Sequence, residues 1–294
     1  MDQEVKKAIL PIAGLGTRFL PLSKIIPKEF LPLVDKPTIQ YIIEEIVESG
    51  IEEAVFVVSS KKTAILEYFK EHKGLEKILK KRGREEIIKE LDKLKEIGKK
   101  ISFSITVQKQ PLGDGHAILQ AANFVKNEPV AILFGDDIVE SEIPCIEQLI
   151  RIYKTSQKPV LALYRVPKEK LSSYGVVAVE KIANRVFKIK KIVEKPTPEK
   201  APSNLAIIGK YVLTPEVFDY LKQAKPNKKG EIVLAEVLQK MLDEGKNIYG
   251  YEIEGKWLEC GTKEEWLKTH FYLSLKDPRF GPELKKFLKE NKLL

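Results

Sequence analysis

The stretch KAILPIAGLGTRFLPLSKIIPKEFLP, residues 7–32, decides how the rest of this chain is read. Lys7 to Ala13 is a short apolar run of the kind that forms a buried strand. It ends in Gly14-Leu15-Gly16. Glycines let a backbone come close to a ligand and turn its N–H groups toward phosphate oxygens. Arg18, Lys24 and Lys28 follow in a loop punctuated by Pro21 and Pro27. Arginine presents a planar fork to phosphate, and lysine a point charge. By itself Gly-x-Gly fits a tight turn without a ligand equally well, and Lys24 fits a solvated loop. Two phosphate-binding patterns are excluded. A dinucleotide fingerprint needs a third glycine where Phe19 stands, and the Gly-Lys-Ser/Thr of a Walker loop does not occur.

Outward from this loop, apolar runs alternate with helical patterns. Pro37 to Ser49 carries Ile39, Ile42, Ile43, Ile46 and Val47 at helical spacing. Ala54 to Ser59 reads as a buried strand and Thr63 to Lys70 as a helix. Leu75 to Ile97 is a long amphipathic helical region with a break at Gly83. Ile101 to Gln108 reads as a strand, Gly115 to Lys126 as a helix, Val130 to Phe134 as a strand and Ile143 to Lys154 as a helix. Such alternation implies βαβ units. The expected fold is therefore α/β, with a Rossmann-like, mixed but mostly parallel sheet and ligands at the carboxyl ends of its strands.

The second half has more strands and fewer helices. Strands are expected at Val160–Val166, Val176–Val179, Val186–Val193, Ile207–Leu213 and Ile248–Ile253. Helices are expected at Pro215–Gln223, Ile232–Glu244 and from Lys263 to Lys289, with a break at Asp277-Pro278. No repeat or Gly/Ser linker divides the chain. One domain is expected, with a nucleotide-binding half (1–140, helical insert 72–100), a second half (141–262) and a helical tail (263–294).

Composition narrows the function classes. The 294 residues are 43% hydrophobic, enough for a substantial core. No apolar run is long enough to span a membrane, and no signal peptide is read at the start. Two cysteines, Cys145 and Cys260, and three histidines make a zinc cluster or disulfide framework improbable and suit a reducing, cytoplasmic setting. The net charge is +9, but lysines alternate with glutamates and lack aromatic partners, so nucleic-acid binding is not indicated. A positive field suits a polyanionic small substrate.

The loop has a longer pattern. G-L-G-T-R-x-x-P-x-S-K-x-x-P-K-E-x-L-P resembles the signature of sugar-1-phosphate nucleotidyltransferases. Its continuation, Leu33-Val34-Asp35-Lys36-Pro37-x-Ile39-Gln40-Tyr41, is similar to the uridylyltransferase branch. The resemblance implies a nucleotide-diphospho-sugar transferase type of fold. It implies that Arg18 and Lys28 meet the triphosphate and the leaving pyrophosphate. Ala13, Gly14 and Gly16 would face the nucleotide, with Glu29 close by. In Q-K-Q-P-L-G-D-G-H (108–116), it gives Gln108 the pyrimidine edge and packs Gly113 beside the base. His116 reads as structural, or near the sugar or phosphate, rather than as a general base.

The match extends over most of the chain. VAILF ends in Gly135-Asp136-Asp137, and two acids after a strand suit a hard cation such as Mg²⁺, though either also suits a loop or cap. The resemblance assigns Asp136 to the metal. Trp257-Leu258-Glu259-Cys260-Gly261-Thr262 is similar to a W-L-D-x-G-T pattern that supplies the second ligand. Glu259 is one methylene longer than the aspartate of that pattern. The sugar side falls to Tyr174-Gly175-Val176, to Val193-Glu194-Lys195-Pro196 and to Asn204. Glu194 would accept sugar hydroxyls, Lys195 would hold the sugar phosphate, and Gly175 and Asn204 would complete the pocket. Without the resemblance, Glu194-Lys195 is an ordinary charged strand end. Ala235 stands where the family pattern carries threonine.

Together these imply transfer of a uridylyl group from UTP to glucose 1-phosphate with release of pyrophosphate. They also imply Mg²⁺ as cofactor and a homo-oligomer, dimer or tetramer. The alternatives are a sister enzyme for dTTP or another hexose 1-phosphate, and a silent binding module on the same fold. Retained Arg18, Lys28, Asp136 and Lys195 weigh against the silent module.

Overall fold

The computed structural model describes residues 4–59 and 64–293. β1 (Lys7–Pro11) leads through the glycine loop and short 3-10 turns to a small hairpin, β2 (Pro32–Leu33) with β3 (Lys36–Pro37), and to helix α1 (Thr38–Glu48). Then come β4 (Glu53–Val58), α2 (Ala64–Phe69), α3 (Lys73–Lys81), α4 (Glu85–Lys100) and β5 (Ser102–Val107). α5 (Asp114–Gln120), α6 (Ala122–Val125), β6 (Val130–Leu133), β7 (Asp137–Glu140) and α7 (Cys145–Ser156) close the first half. The second half holds β8 (Val160–Arg165), β9 (Gly175–Ala183), β10 (Val186–Glu194), β11 (Leu205–Leu213), α8 (Glu216–Gln223) and α9 (Leu234–Asp243). It ends in β12 (Tyr249–Glu252), β13 (Lys256–Glu259), α10 (Lys263–Lys276) and α11 (Gly281–Glu290).

The helix expected from Thr63 runs over Ala64–Phe69, and Thr63 itself lies outside the described residues. The expected helical insert is a hairpin of α3 and α4, broken at Gly83, whose φ of 62° is a left-handed turn suited to glycine. Four short strands, β2, β3, β7 and β13, lie outside the expected ones.

Nine strands form one sheet in the order β5-β4-β1-β6-β11-β8-β12-β10-β9. β5, β4, β1 and β6 run parallel, as the βαβ pattern predicts, and β8 with β12 is also parallel. The other four neighbouring pairs are antiparallel. The sheet is therefore mixed, and the expectation that it is mostly parallel is corrected. The reason is local: β9 and β10 are joined by the two-residue turn Asn184-Arg185, which can only reverse direction, whereas parallel neighbours need long crossovers.

Alternation along each buried strand sends side chains to two cores. Ala8 and Leu10 of β1 point to one face, where Ile39, Ile42 and Ile46 of α1 and Ile146 and Leu149 of α7 cover them. Ile9 points to the other, beneath Ile118 of α5, Leu221 of α8 and Leu238 of α9. The α1 stripe is apolar at helical spacing except for Glu45. That carboxylate meets Lys210 of β11, which is 0% exposed, at 2.7 Å, and accepts a hydrogen bond from the Ile146 N–H at 2.9 Å. One ion pair thus ties α1, β11 and the start of α7 together.

A second joint links the halves. The Asp114 Oδ1 accepts from the Gly115 N–H at 2.7 Å and the Leu234 N–H at 3.0 Å, capping α9 from a segment 120 residues earlier. The Ile232 N–H donates to the Leu112 carbonyl at 2.7 Å. A Cβ at Gly113 would come within 2.5 Å of the Ile232 carbonyl, so glycine is required for this approach. Burial pushes the Asp114 carboxyl up to about 6, the Glu194 charge adding to it and the two N–H bonds opposing it.

Lys210→Met would leave Glu45 buried without its counter-charge. We expect a loss of about 3–5 kcal/mol in urea unfolding, and an unmoved midpoint would contradict the role given to the pair. For Asp114 the folded value lies above the ordinary one, so its contribution to stability is full below about pH 4 and is lost as pH rises through about 6. Asp114→Asn keeps the accepting oxygen and removes the charge. Wild type should lose on the order of 2–3 kcal/mol relative to this variant between pH 4 and 7.5. Parallel urea midpoints for the two proteins across that range would refute it.

Candidate active site

A cleft of about 770 Å³ opens beside the carboxyl end of β6. Of the residues singled out in the sequence, Arg18, Asp136, Gly175, Glu194, Lys195 and Glu259 line it. Asp114, Asp137, Lys170, Tyr174, Tyr211 and Trp257 line it as well.

The glycine loop forms one rim. Ala13 is buried, and a Cβ at Gly14 would meet nothing within 4 Å, so the backbone there faces open space. Gly16 has φ 64°, and its carbonyl accepts from the Ser23 hydroxyl at 2.7 Å, which folds the loop back on itself. Arg18 Nη1 donates to the Gly261 carbonyl at 3.3 Å, and Lys263 Nζ donates to the Leu20 carbonyl at 2.8 Å. The loop is thereby tied to the start of α10, 243 residues away in sequence.

The acids gather on the floor. β7 pairs antiparallel with β13, placing Glu259 opposite Asp137, and the Cys260 N–H donates to the Asp136 carbonyl at 2.8 Å. A Cβ at Gly261 would sit 3.3 Å from both Asp136 Oδ2 and Glu259 Oε1, and 3.4 Å from Arg18 Nη1. Gly209 of β11 is confined more tightly still: a Cβ there would lie 2.1 Å from Asp137 Oδ2. Trp257 Nε1 donates to Asp137 Oδ1 at 2.8 Å, and the Tyr174 hydroxyl donates to Glu259 Oε2.

Charges on this floor are unequal. Lys28 forms an ion pair with Asp136. Burial disfavours both charges, yet their mutual attraction prevails, holding the ammonium above and the carboxyl below its ordinary value. Asp137 forms no ion pair among the described residues. Burial, then the Asp136 charge, raise it to about 7, against the Trp257 hydrogen bond and the more distant Lys210 charge. Glu259 is raised too, mainly by burial, against the opposing Tyr174 hydrogen bond.

The residues expected on the sugar side come from the ends of β9 and β10, which are in register with Glu194 opposite Gly175. A Cβ at Gly175 would approach Glu194 Oε2 to 3.2 Å. Lys195 has φ 47°, costly for a side-chain-bearing residue, and its N–H donates to the Tyr174 carbonyl at 3.0 Å. Its Nζ lies 3.3 Å from Glu194 Oε1, with the side chain half exposed.

Other expected residues stand apart from the lining. Glu29 is buried behind Gly135, where a Cβ would touch its Cγ at 3.0 Å. Gln108 is buried, with Nε2 donating to the Gly113 carbonyl at 2.9 Å and meeting His116 Nδ1 at 2.9 Å. Burial lowers the His116 pKa. Asn204 is exposed and accepts from Arg165 Nη1 at 2.9 Å; it does not line the cleft. Lys170, which lines the mouth and pairs with Glu265 at 2.9 Å, carried no signal in the sequence, nor did Tyr211.

The oxygen donors fit a hard divalent cation. Among the described residues no group of three or more His, Cys, Asp or Glu is arranged to hold a metal. Two carboxylate oxygens converging over Gly261 match the sparse ligation of Mg²⁺, which usually takes its remaining ligands from substrate phosphates and water.

The nucleotidyl transferase family model matches residues 7–274. UTP–glucose-1-phosphate uridylyltransferase of Staphylococcus haemolyticus is 42% identical over 98% of this chain and 99% of its own length. The Staphylococcus epidermidis protein of the same name is 41% identical with the same coverage. A crystal structure of UDP-glucose pyrophosphorylase complexed with UDP-glucose matches at TM-score 0.83 and 38% identity, over 93% of this chain and 100% of that one. A UTP-bound UGPase from Acinetobacter baumannii matches at 0.88 and 35%, over 97% and 99%. With cleft and sequence in agreement over nearly the whole length, the chain belongs to the nucleotidyl transferase family, among the UTP–glucose-1-phosphate uridylyltransferases.

Proposed function

We propose that the chain transfers a uridylyl group from UTP to glucose 1-phosphate, releasing pyrophosphate and UDP-glucose. One observation carries the reading: Arg18, Asp136, Glu194, Lys195 and Glu259, drawn from all parts of the sequence, line one cleft. A phosphate oxygen of glucose 1-phosphate attacks the α-phosphorus of UTP in line, and the bond to the β-phosphate oxygen breaks. No side-chain nucleophile is needed, because a phosphate monoester dianion is already one. The protein contributes position and charge.

Ala13, Gly14 and Gly16 frame the nucleotide, with Glu29 close by. Gln108, with Gly113, reads the pyrimidine edge. Arg18 and Lys28 offset the charge of the triphosphate and of departing pyrophosphate. Lys195 orients the attacking phosphate, while Glu194 and the Gly175 backbone receive the sugar hydroxyls. Asn204 supports that wall from outside through Arg165. Mg²⁺, held by Asp136 and Glu259, would neutralise charge between the two phosphorylated reactants.

The same proposal includes a homo-oligomer, dimer or tetramer, favoured by exposed Ile25, Leu267, Phe271 and Phe287, and a cytoplasmic location, favoured by two buried free cysteines. Among the described residues no helix is long and apolar enough to cross a membrane.

Lys195→Ala should lower kcat by about a hundredfold or more, the scale set by loss of one oxyanion-hole donor. Pyrophosphate release at saturating UTP and glucose 1-phosphate measures this, and an unchanged rate removes Lys195 from the mechanism. Asp136→Asn should weaken the dependence of the rate on Mg²⁺ concentration. A titration matching wild type would exclude Asp136 as a ligand.

A further inference from the structure

Glu259 has a neighbour that the reaction as derived does not use. The Tyr174 hydroxyl donates to one of its oxygens, Oε2. The other, Oε1, lies 3.3 Å from the point over Gly261 that Asp136 Oδ2 also approaches to 3.3 Å. One oxygen is tethered and the other faces Asp136.

Tyr174 is itself firmly held. Its ring meets Trp257 edge-on, with centroids 5.1 Å apart, and Trp257 meets Tyr164 at 5.8 Å. The Tyr174 carbonyl accepts from the Lys195 N–H at 3.0 Å. The same aromatic stack serves the neighbouring acid, since Trp257 Nε1 donates to Asp137 Oδ1. Two adjacent carboxylates thus each receive one donor from a rigid aromatic bracket. Glutamate has one more rotatable bond than aspartate, so an untethered Glu259 would spread its carboxylate over several rotamers. A hydrogen bond from a fixed phenol selects among them.

We propose that Tyr174 is a positioning residue for Glu259, its hydroxyl taking up the reach of the longer side chain and holding Oε1 on the Asp136 side of the cleft. The proposal rests on the reading of Asp136 and Glu259 as the cation's ligands. Residues that orient a ligand carboxylate typically affect metal affinity by about 10–100-fold. Tyr174→Phe removes only the hydroxyl and keeps the ring against Trp257.

The test is Mn²⁺ binding to the full-length protein with UDP-glucose, followed by electron paramagnetic resonance, for Tyr174→Phe, Glu259→Asp, the double variant and Glu259→Ala. Thermal unfolding in EDTA verifies that each is folded. We expect Tyr174→Phe to weaken Mn²⁺ binding about tenfold, yet to add little in the Glu259→Asp background, where the shorter arm no longer reaches the hydroxyl. Glu259→Ala should weaken binding at least as much. If Glu259→Ala weakens binding and Tyr174→Phe does not, the positioning role is overturned and the ligand reading stands. The role is also overturned if the effects of Tyr174→Phe and Glu259→Asp simply multiply. If Glu259→Ala binds Mn²⁺ as wild type does, the ligand reading falls and the proposal with it. Should Tyr174→Phe not fold, Glu259→Asp alone decides. Its shorter arm cannot keep both the Tyr174 bond and its place near Asp136, so undiminished affinity overturns the proposal.

Discussion

Four residues of β7 against four of β13 hold the site together. This short antiparallel ladder stands off the nine-stranded sheet and sets Glu259 beside Asp137. The Cys260 N–H extends it by one bond to the Asp136 carbonyl. Everything on the cleft floor follows from that register. A slip of one residue would turn Glu259 to the opposite face and part it from Asp136. The confined glycines, Gly209 and Gly261, show how closely the strands on either side approach these acids.

Close approach of carboxylates is electrostatically costly, and the structure offsets the cost unevenly. Asp136 has Lys28 and the nearby Arg18 charge. Asp137 and Glu259 receive neutral donors, Trp257 and Tyr174, rather than ion-pair partners, and both carboxyls are raised. Neutral donors orient a carboxylate without cancelling its charge. An anionic floor beside cationic Arg18, Lys28 and Lys195 is suited to gathering a divalent ion and two phosphorylated reactants in one place.

The scaffold beneath is built for rigidity where the reaction needs it. The buried Lys210–Glu45 pair locks β11, which carries Gly209, to α1, which follows the glycine loop. The Asp114 cap locks the segment after Gln108 to the start of α9, whose Ala235 lines the cleft. The segment after Gln108 and the start of α9 are thus joined through the Asp114 carboxylate and the backbone bonds of Ile232. Lys195 adopts a left-handed conformation just past the end of β10, where it lines the cleft.

Much of this was legible in the residues alone. Strong periodicity located α1, α7, α9 and the core strands, because a buried face repeats at the period of its element. The long pattern from Gly14 to Pro32 and its later companions pointed to the family and to Arg18, Asp136, Glu194 and Lys195. Strand direction was not legible, since a strand reads the same whether its neighbour is parallel or antiparallel, and a two-residue turn at Asn184-Arg185 looks like any polar pair. β7 and β13 escaped notice because four-residue strands of mixed polarity carry no period. Lys210 stands alone in the apolar run Leu205–Leu213, and the run does not reveal whether its ammonium reaches solvent or, as here, is 0% exposed against Glu45. Asn204 followed the family pattern yet turns toward Arg165. Local order encodes periodicity and turn chemistry, and so the elements. Which acids face one another, and which donor each one meets, depends on pairings between residues 85 or more positions apart, and only the folded chain decides those.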